Sequence, residues 1–326
     1  MAERYQEPVF VTPVFESRIW GGRKLETAFG FELPEGNIGE AWAVSAYPGR
    51  ESLVRGGSFD GMTLAEFWRE HPGFFGKKAG EPGTPSAGYP FITKIIDAKD
   101  NLSIQVHPDD AYAARYENGQ KGKTECWYIL DAPEGASLII GHNARSRGEF
   151  CAMIDGGLWD ALLRRVPVKP GDFIQIEPGT IHAITAGVML LETQQSSDLT
   201  YRLYDYGRLE NGRPRELHLA QSKAVCTVPS PSGEEMVEHM QDVPVNRLTL
   251  MECCRFYAVY LLPVRGEAAL SLGAGYAVAT VVEGEGSLTA AGRDYPLKKG
   301  DSFLLPGELT ADARIAGSCR LVIATE

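Results

Sequence analysis

The chain has 326 residues, with 32 basic against 43 acidic side chains and a formal charge of -11. This excludes a small disulfide-stapled scaffold and disfavours a grip on nucleic acid or an anionic membrane, which needs clustered Lys and Arg. Hydrophobic content of 44% beside 23% charged residues is that of an ordinary folded chain and makes no case for disorder.

The polar start, Met1 to Pro8, lacks the apolar core of a secretory signal, and no run approaches the ~18 apolar residues of a membrane span. Thirty-six Gly and 20 Pro punctuate many short apolar stretches, which predicts a mainly β chain. In chain order, Thr63 with Glu66 reads as a capping box opening a helix through Phe67 and Trp68. Strands are expected over Phe91–Ile96 and Leu102–Val106, then a helix after Pro108 with Asp109 and Asp110 at its positive end. Further strands follow over Glu125–Leu130 and Ser137–Ile140. Ser146 with Glu149 reads as a second capping box, and Leu158, Leu162 and Val166 give another short amphipathic stretch. Strands resume over Phe173–Ile176 and Val188–Thr193. The turn-rich Pro229–Gly233, followed by Glu234, Glu235 and Glu238, reads as a linker, and beyond it come strands over Phe256–Pro263, Tyr276–Val282 and Ser302–Leu305. Two β-rich domains are expected, residues 1–235 and 236–326. The six cysteines (126, 151, 226, 253, 254 and 319) show no Cys-x-x-Cys spacing and read as reduced, core-type thiols of a cytoplasmic protein.

The two halves share a phrase. Lys169-Pro170-Gly171-Asp172-Phe173 leads to Pro178-Gly179, and Lys298-Lys299-Gly300-Asp301-Ser302-Phe303 leads to Pro306-Gly307. Glu283-Gly284-Glu285-Gly286 resembles the Gly-x-Gly hairpin of cupin barrels. Two related cupin-like jelly-roll barrels follow, the second without metal ligands because the last histidine in the chain is His239.

A period of two places Gln105 and His107 on one face of their strand. Glu125 shares a core-facing row with Trp127 and Ile129, where a lone carboxylate is costly unless paired or metal-bound. His182, after Pro178-Gly179-Thr180-Ile181, has the spacing of the second cupin motif. Each has a plain alternative: a strand-end histidine for His107, a turn-closing one for His182, an ion pair with Lys121 or Lys123 for Glu125. Together, Gln105, His107, Glu125 and His182 form a nitrogen and oxygen set suited to zinc, with a position left for water or substrate. His71, His142, His218 and His239 read as structural or surface residues.

Leu102-Ser103-Ile104-Gln105-Val106-His107-Pro108 with Lys94, and Gly122-Lys123-Thr124-Glu125-Cys126-Trp127-Tyr128, resemble type I phosphomannose isomerases. Trp20-Gly21-Gly22, Gly39-Glu40-Ala41-Trp42 and the run from Glu192 through Asp198 and Arg202 to Arg208 extend the resemblance over roughly residues 8–228. It resembles the short bacterial form, with the helical insertion reduced to about residues 143–166. The resemblance implies the same four metal ligands, one zinc per chain, and Lys123 and Arg202 in the active site. It also implies that Lys94 and Ser103 line the same cleft and contact phosphate or sugar. One departure stands out: some longer members carry a histidine just before the lysine, where this chain has Gly122, so a mechanism using that histidine does not apply.

The implied reaction interconverts mannose 6-phosphate and fructose 6-phosphate through an enediolate, stabilised by a metal and a nearby cation. Arg202 is the expected cation, unless a salt bridge to Asp198 or Asp205 claims it. Glu192, Asp198, Lys123 and metal-bound hydroxide all stand as candidate bases, while Trp20 and Trp42 read as packing. A sugar-binding cupin without turnover and a cupin dioxygenase are the competing classes. The second fits poorly, because a Gln ligand and only two candidate His ligands do not make its His-rich iron shell.

Overall fold

The computed structural model describes residues 5–77, 88–273 and 275–326; residues 1–4 of the polar start lie outside these. Three large antiparallel sheets organise the described residues. The central one has seven strands in the order Val237–His239, Asp172–Ile176, Glu125–Asp131, Met189–Gln195, Phe91–Asp97, Ile38–Val44 and Val14–Gly22. A five-stranded sheet faces it, in the order Leu163–Pro167, Ser137–His142, His182–Ala183, Ile104–Val106 and Tyr201–Tyr204. Trp127, Ile129, Ile174 and Leu190 of the first interdigitate with Leu138, Ile140 and Val166 of the second, the two-layer core of a jelly roll.

The other face of the central sheet is buried too. Phe91, Ile95, Tyr128 and Leu191 pack against Val259, Leu261, Leu304 and Val322 of an eight-stranded sheet built largely from the C-terminal segment. Burial on both faces explains why Phe91–Asp97 and Met189–Gln195 are enclosed at every residue rather than at alternate ones. The eight-stranded sheet also takes in Val9–Thr12, which pairs with Ser302–Pro306 on one side and Leu53–Arg55 on the other. The two units expected to meet near residue 235 therefore share a sheet.

The shared phrase folds the same way twice. Asp172 accepts a hydrogen bond from Lys169 N and Asp301 one from Lys298 N, both at 2.9 Å. Gly171 and Gly300 adopt φ of 86° and 94°, where glycine avoids the Cβ penalty. Glu283 to Gly286, however, forms no hairpin. It lies inside the long strand Tyr276–Ala290, where a Cβ on Gly286 would stand 2.2 Å from the Ala316 carbonyl. Those glycines serve close strand approach.

Helices form at all three capping signals. Leu64–Glu70 has the complete Thr63/Glu66 box, and Asp110–Tyr116 is capped by Asp109. Arg147–Asp155 is capped by Ser146, with Glu149 reaching Arg145 N. The helical reading of Leu158 to Val166 holds for one turn only, Trp159–Leu162, because Leu163–Pro167 pairs with Ser137–His142 and interstrand bonding overrides the spacing. The linker is tied down as well: Val237–His239 adds to the edge of Asp172–Ile176.

Candidate metal centre and active-site cleft

Between the central and five-stranded sheets lies a cleft of about 470 Å³, a size suited to a small metabolite. His182 pairs with Gln105, and Arg202 pairs with Gln105 from the other side, so three adjacent strands deliver these side chains to one point. Glu125 comes from the facing sheet. His107 Nε2 stands 3.4 Å from one Glu125 oxygen and His182 Nε2 3.3 Å from the other; Gln105 Nε2 is 3.2 Å from His182 Nε2. His107, Glu125 and His182 are almost wholly buried, and the ligand atoms of all three lie within 4.8 Å of one another.

The protonation states suit a cation. His107 Nδ1 donates to the Leu199 carbonyl at 2.8 Å and His182 Nδ1 to that of Thr180 at 2.9 Å, turning both Nε2 lone pairs inward. Burial, reinforced by the Lys123 charge, holds His107 neutral with its pKa lowered to about 3, and burial lowers that of His182. Burial alone would raise the Glu125 pKa, but Lys123 and the two histidines bring it well below the usual carboxylate range. Apart from ionic contacts, neither Glu125 oxygen has a hydrogen-bond partner. Two neutral imidazoles, an amide and an ionised carboxylate with open lone pairs fit a divalent metal such as zinc.

From this centre a row of alternating charge crosses the central sheet. Lys123 Nζ lies 2.6 Å from Glu125 and 3.9 Å from Glu192; Lys94 Nζ lies 3.5 Å from Glu192 and 4.2 Å from the centre of the Trp42 ring. The carboxylates outweigh burial and raise the Lys123 pKa, keeping it charged. Glu192 is shifted up by burial and by Glu125, against the pull of both lysines and a 3.0 Å bond from Trp127 Nε1. Farther along, Glu40 accepts from Trp42 Nε1 at 2.7 Å and from the Arg18 fork at 3.2 and 2.9 Å. Burial opposes its ionisation, yet Lys94, Arg18 and these bonds hold its pKa at about 2.

Lys94, Ser103, Lys123, Glu192, Asp198 and Arg202 all reach the cleft. Neither salt bridge weighed as the alternative for Arg202 forms: Asp198 binds Arg50 at 2.8 Å, and Asp205 is taken by Arg208 and Arg215. Arg202 Nη1 donates to the Glu216 carbonyl at 2.9 Å, and its buried Nε has no partner. Sequence reasoning passed over Arg18, Arg50, Arg215 and His218. His218, read as structural or surface, borders the cleft and clamps the Arg202 backbone in both directions, its Nδ1 accepting from Arg202 N and its N–H donating to Arg202 O. Trp20 and Trp42 are buried as packing implies, but Trp20 also lines the cleft and Trp42 underlies two cations.

Gly122 has a steric cause. A Cβ there would lie 2.4 Å from the Asp109 carbonyl carbon and 2.5 Å from Asp110 N, so no histidine fits before Lys123 without moving the start of the helix Asp110–Tyr116. Gly122→Ala should therefore lower stability by about 1–3 kcal/mol, read as a shifted urea midpoint; an unchanged midpoint would contradict this packing.

Residues 9–141 match the family described as phosphomannose isomerase type I, catalytic domain, and residues 246–325 match the mannose-6-phosphate isomerase cupin domain. The mannose-6-phosphate isomerase ManA of Bacillus subtilis is 46% identical over 301 residues, covering 92% of this chain and 93% of its own length. That of Streptococcus mutans is 42% identical over 304 residues, covering 93% of each. A crystal structure of the Bacillus subtilis mannose 6-phosphate isomerase superposes with a TM-score of 0.88 at 42% identity, covering 98% of this chain and all of that one. Identity of this level over nearly the whole length, on the same fold, makes the chain a member of the type I phosphomannose isomerase family of enzymes.

Proposed function

We propose that the protein interconverts mannose 6-phosphate and fructose 6-phosphate through an enediolate, using one zinc ion per chain held by Gln105, His107, Glu125 and His182. The observation that carries this reading is a buried, neutral His pair facing an ionised Glu125 whose contacts are ionic ones to Lys123 and those two rings, at the end of a cation-rich cleft. When bound there, zinc supplies Lewis-acid stabilisation of developing oxygen charge.

The chain's own residues divide the remaining work. Glu192, its pKa raised by burial and Glu125, is suited to carry the proton between C1 and C2. Lys123 stays charged and acts as a fixed cation beside the sugar oxygens, not as the base. Asp198, 34% exposed and committed to Arg50, is better suited to pairing with that arginine than to serving as the base. Arg202, opposite Gln105 and free of carboxylate partners among the described residues, presents its guanidinium to the enediolate. Lys94 and Ser103 contact the sugar along the cleft wall. The six free cysteines suit a cytoplasmic setting, and no helix among the described residues is long and apolar enough to cross a membrane.

A coupled assay of fructose 6-phosphate formation, run before chelation, after it and after zinc is restored, tests the proposal. Turnover should vanish and return. Binding of mannose 6-phosphate without conversion, or conversion indifferent to chelation, would overturn it.

A further inference from the structure

At the end of the charged row away from Glu125, four side chains from three segments lock together. One oxygen of Glu16 receives both Arg18 Nη1 at 3.0 Å and Arg50 Nε at 3.1 Å, while Arg50 Nη1 binds Asp198 at 2.8 Å. The Arg50 guanidinium also rests on Trp42, 4.9 Å from the ring centre. Arg50 is thus fixed by two carboxylates and an aromatic face, and among the described residues its Nη2 has no hydrogen-bond partner. Among the other cleft cations, Arg202, whose Nε is also unpartnered, stands at the opposite end beside Gln105. Arg18 spends its donors on Glu40, Glu16 and the Ser17 carbonyl, Arg215 binds Asp205, and both lysines stand against Glu192.

Position matters as much as vacancy. Trp42 lies on the strand two beyond that of Glu192 and three beyond that of Glu125. At ~4.8 Å per strand these are separations of about 10 and 14 Å, matching a phosphosugar stretched with its first two carbons at the histidines and its phosphate remote from them.

We infer that Arg50 is the phosphate-recognition residue of this cleft, its preoriented Nη2 donating to the phosphate dianion of a 6-phosphosugar. The inference rests on the function proposed above and adds the residue that selects for a phosphorylated substrate. A fork held in place loses little freedom on binding, and planar guanidinium matches phosphate geometry. Because the phosphate takes no part in bond changes, its contacts act alike on ground and transition states.

Steady-state kinetics of the zinc-loaded enzyme and its Arg50→Gln, Arg50→Lys and Asp198→Asn variants test this, with inorganic phosphate as a competitive inhibitor. Arg50→Gln should raise both the KM for mannose 6-phosphate and the inhibition constant of phosphate at least about tenfold, with most of the loss in kcat/KM carried by KM. Arg50→Lys, which keeps the charge and loses the fork, should give a smaller rise in both; it carries the test if Arg50→Gln fails to fold. Asp198→Asn breaks the same ion pair but keeps the cation, so phosphate should inhibit it at least as strongly as the parent. Unchanged constants in the Arg50 variants, a fall in kcat at unchanged phosphate inhibition, or equal weakening in Asp198→Asn would overturn the inference. An inactive parent would instead refute the functional reading, and calorimetric titration of inorganic phosphate into parent and Arg50→Gln would still decide the role of Arg50.

Discussion

Replacing His107 or His182 by alanine should abolish both metal content and turnover, lowering kcat/KM by at least about a thousandfold. Outer partners of a metal-binding histidine already cost 10–100-fold when removed, and here a direct nitrogen donor is lost. Each substitution also leaves Glu125 facing Lys123 with one imidazole fewer at a buried centre. The surrounding apolar layer of Trp127, Ile140, Ile174 and Leu190 loses only the edge contact of Trp127 with the His182 ring in one variant, so the chain should remain folded. Elemental analysis of protein purified without added metal, beside the coupled assay and circular dichroism, provides the check. Near-normal metal and turnover in both variants would remove the centre from the reaction.

Arg202→Lys should lower kcat by about 10²–10³, or roughly 3–4 kcal/mol of barrier, while KM changes far less. The lysine keeps a positive charge but cannot span two adjacent oxygens as the fork does. Arg202 is anchored by the Glu216 carbonyl and by the exchange of backbone and ring bonds with His218, so the loss is chemical rather than a collapse of the strand. A raised KM at unchanged kcat would move Arg202 to the phosphate, the place assigned above to Arg50. The two arginines therefore separate along the two kinetic axes, and exchanging their signatures would exchange their roles.

The clustering of His107, Glu125 and His182 with Gln105 was legible because it depends on local rules. A period of two aligned Gln105 with His107, and a carboxylate among Trp127 and Ile129 had no cheap apolar explanation. Capping residues located three helices for the same reason: Thr63, Asp109 and Ser146 bond to backbone within their own turn. The Glu40, Arg18, Glu16 and Arg50 cluster was not legible, since it forms only when Val14–Gly22 and Ile38–Val44 pair at one register and Arg50 folds back over Trp42. Asp198, close to Arg202 in sequence, was weighed as its ion-pair partner; the strand Tyr201–Tyr204 begins between them, and Asp198 pairs with Arg50 instead. Val166 obeyed helical spacing with Leu162, but a waiting strand partner at Leu138 decided its conformation.

The short strand Val9–Thr12 gives the molecule a direction in time. It emerges from the ribosome long before one of its two neighbours, Ser302–Pro306. Until then the bonds of Val9, Phe10 and Val11 to that neighbour are open, and the apolar face formed by Tyr257, Val278, Leu304 and Val322 over the central sheet is missing. Such distant pairing makes folding slow and leaves a bare strand edge in nascent or truncated chains. A chain stopped near residue 235 would hold every proposed metal ligand and still expose the back of the sheet that carries Glu125. The sheet behind Glu125 is complete only after Ser302–Pro306 and Arg314–Thr325 have been made.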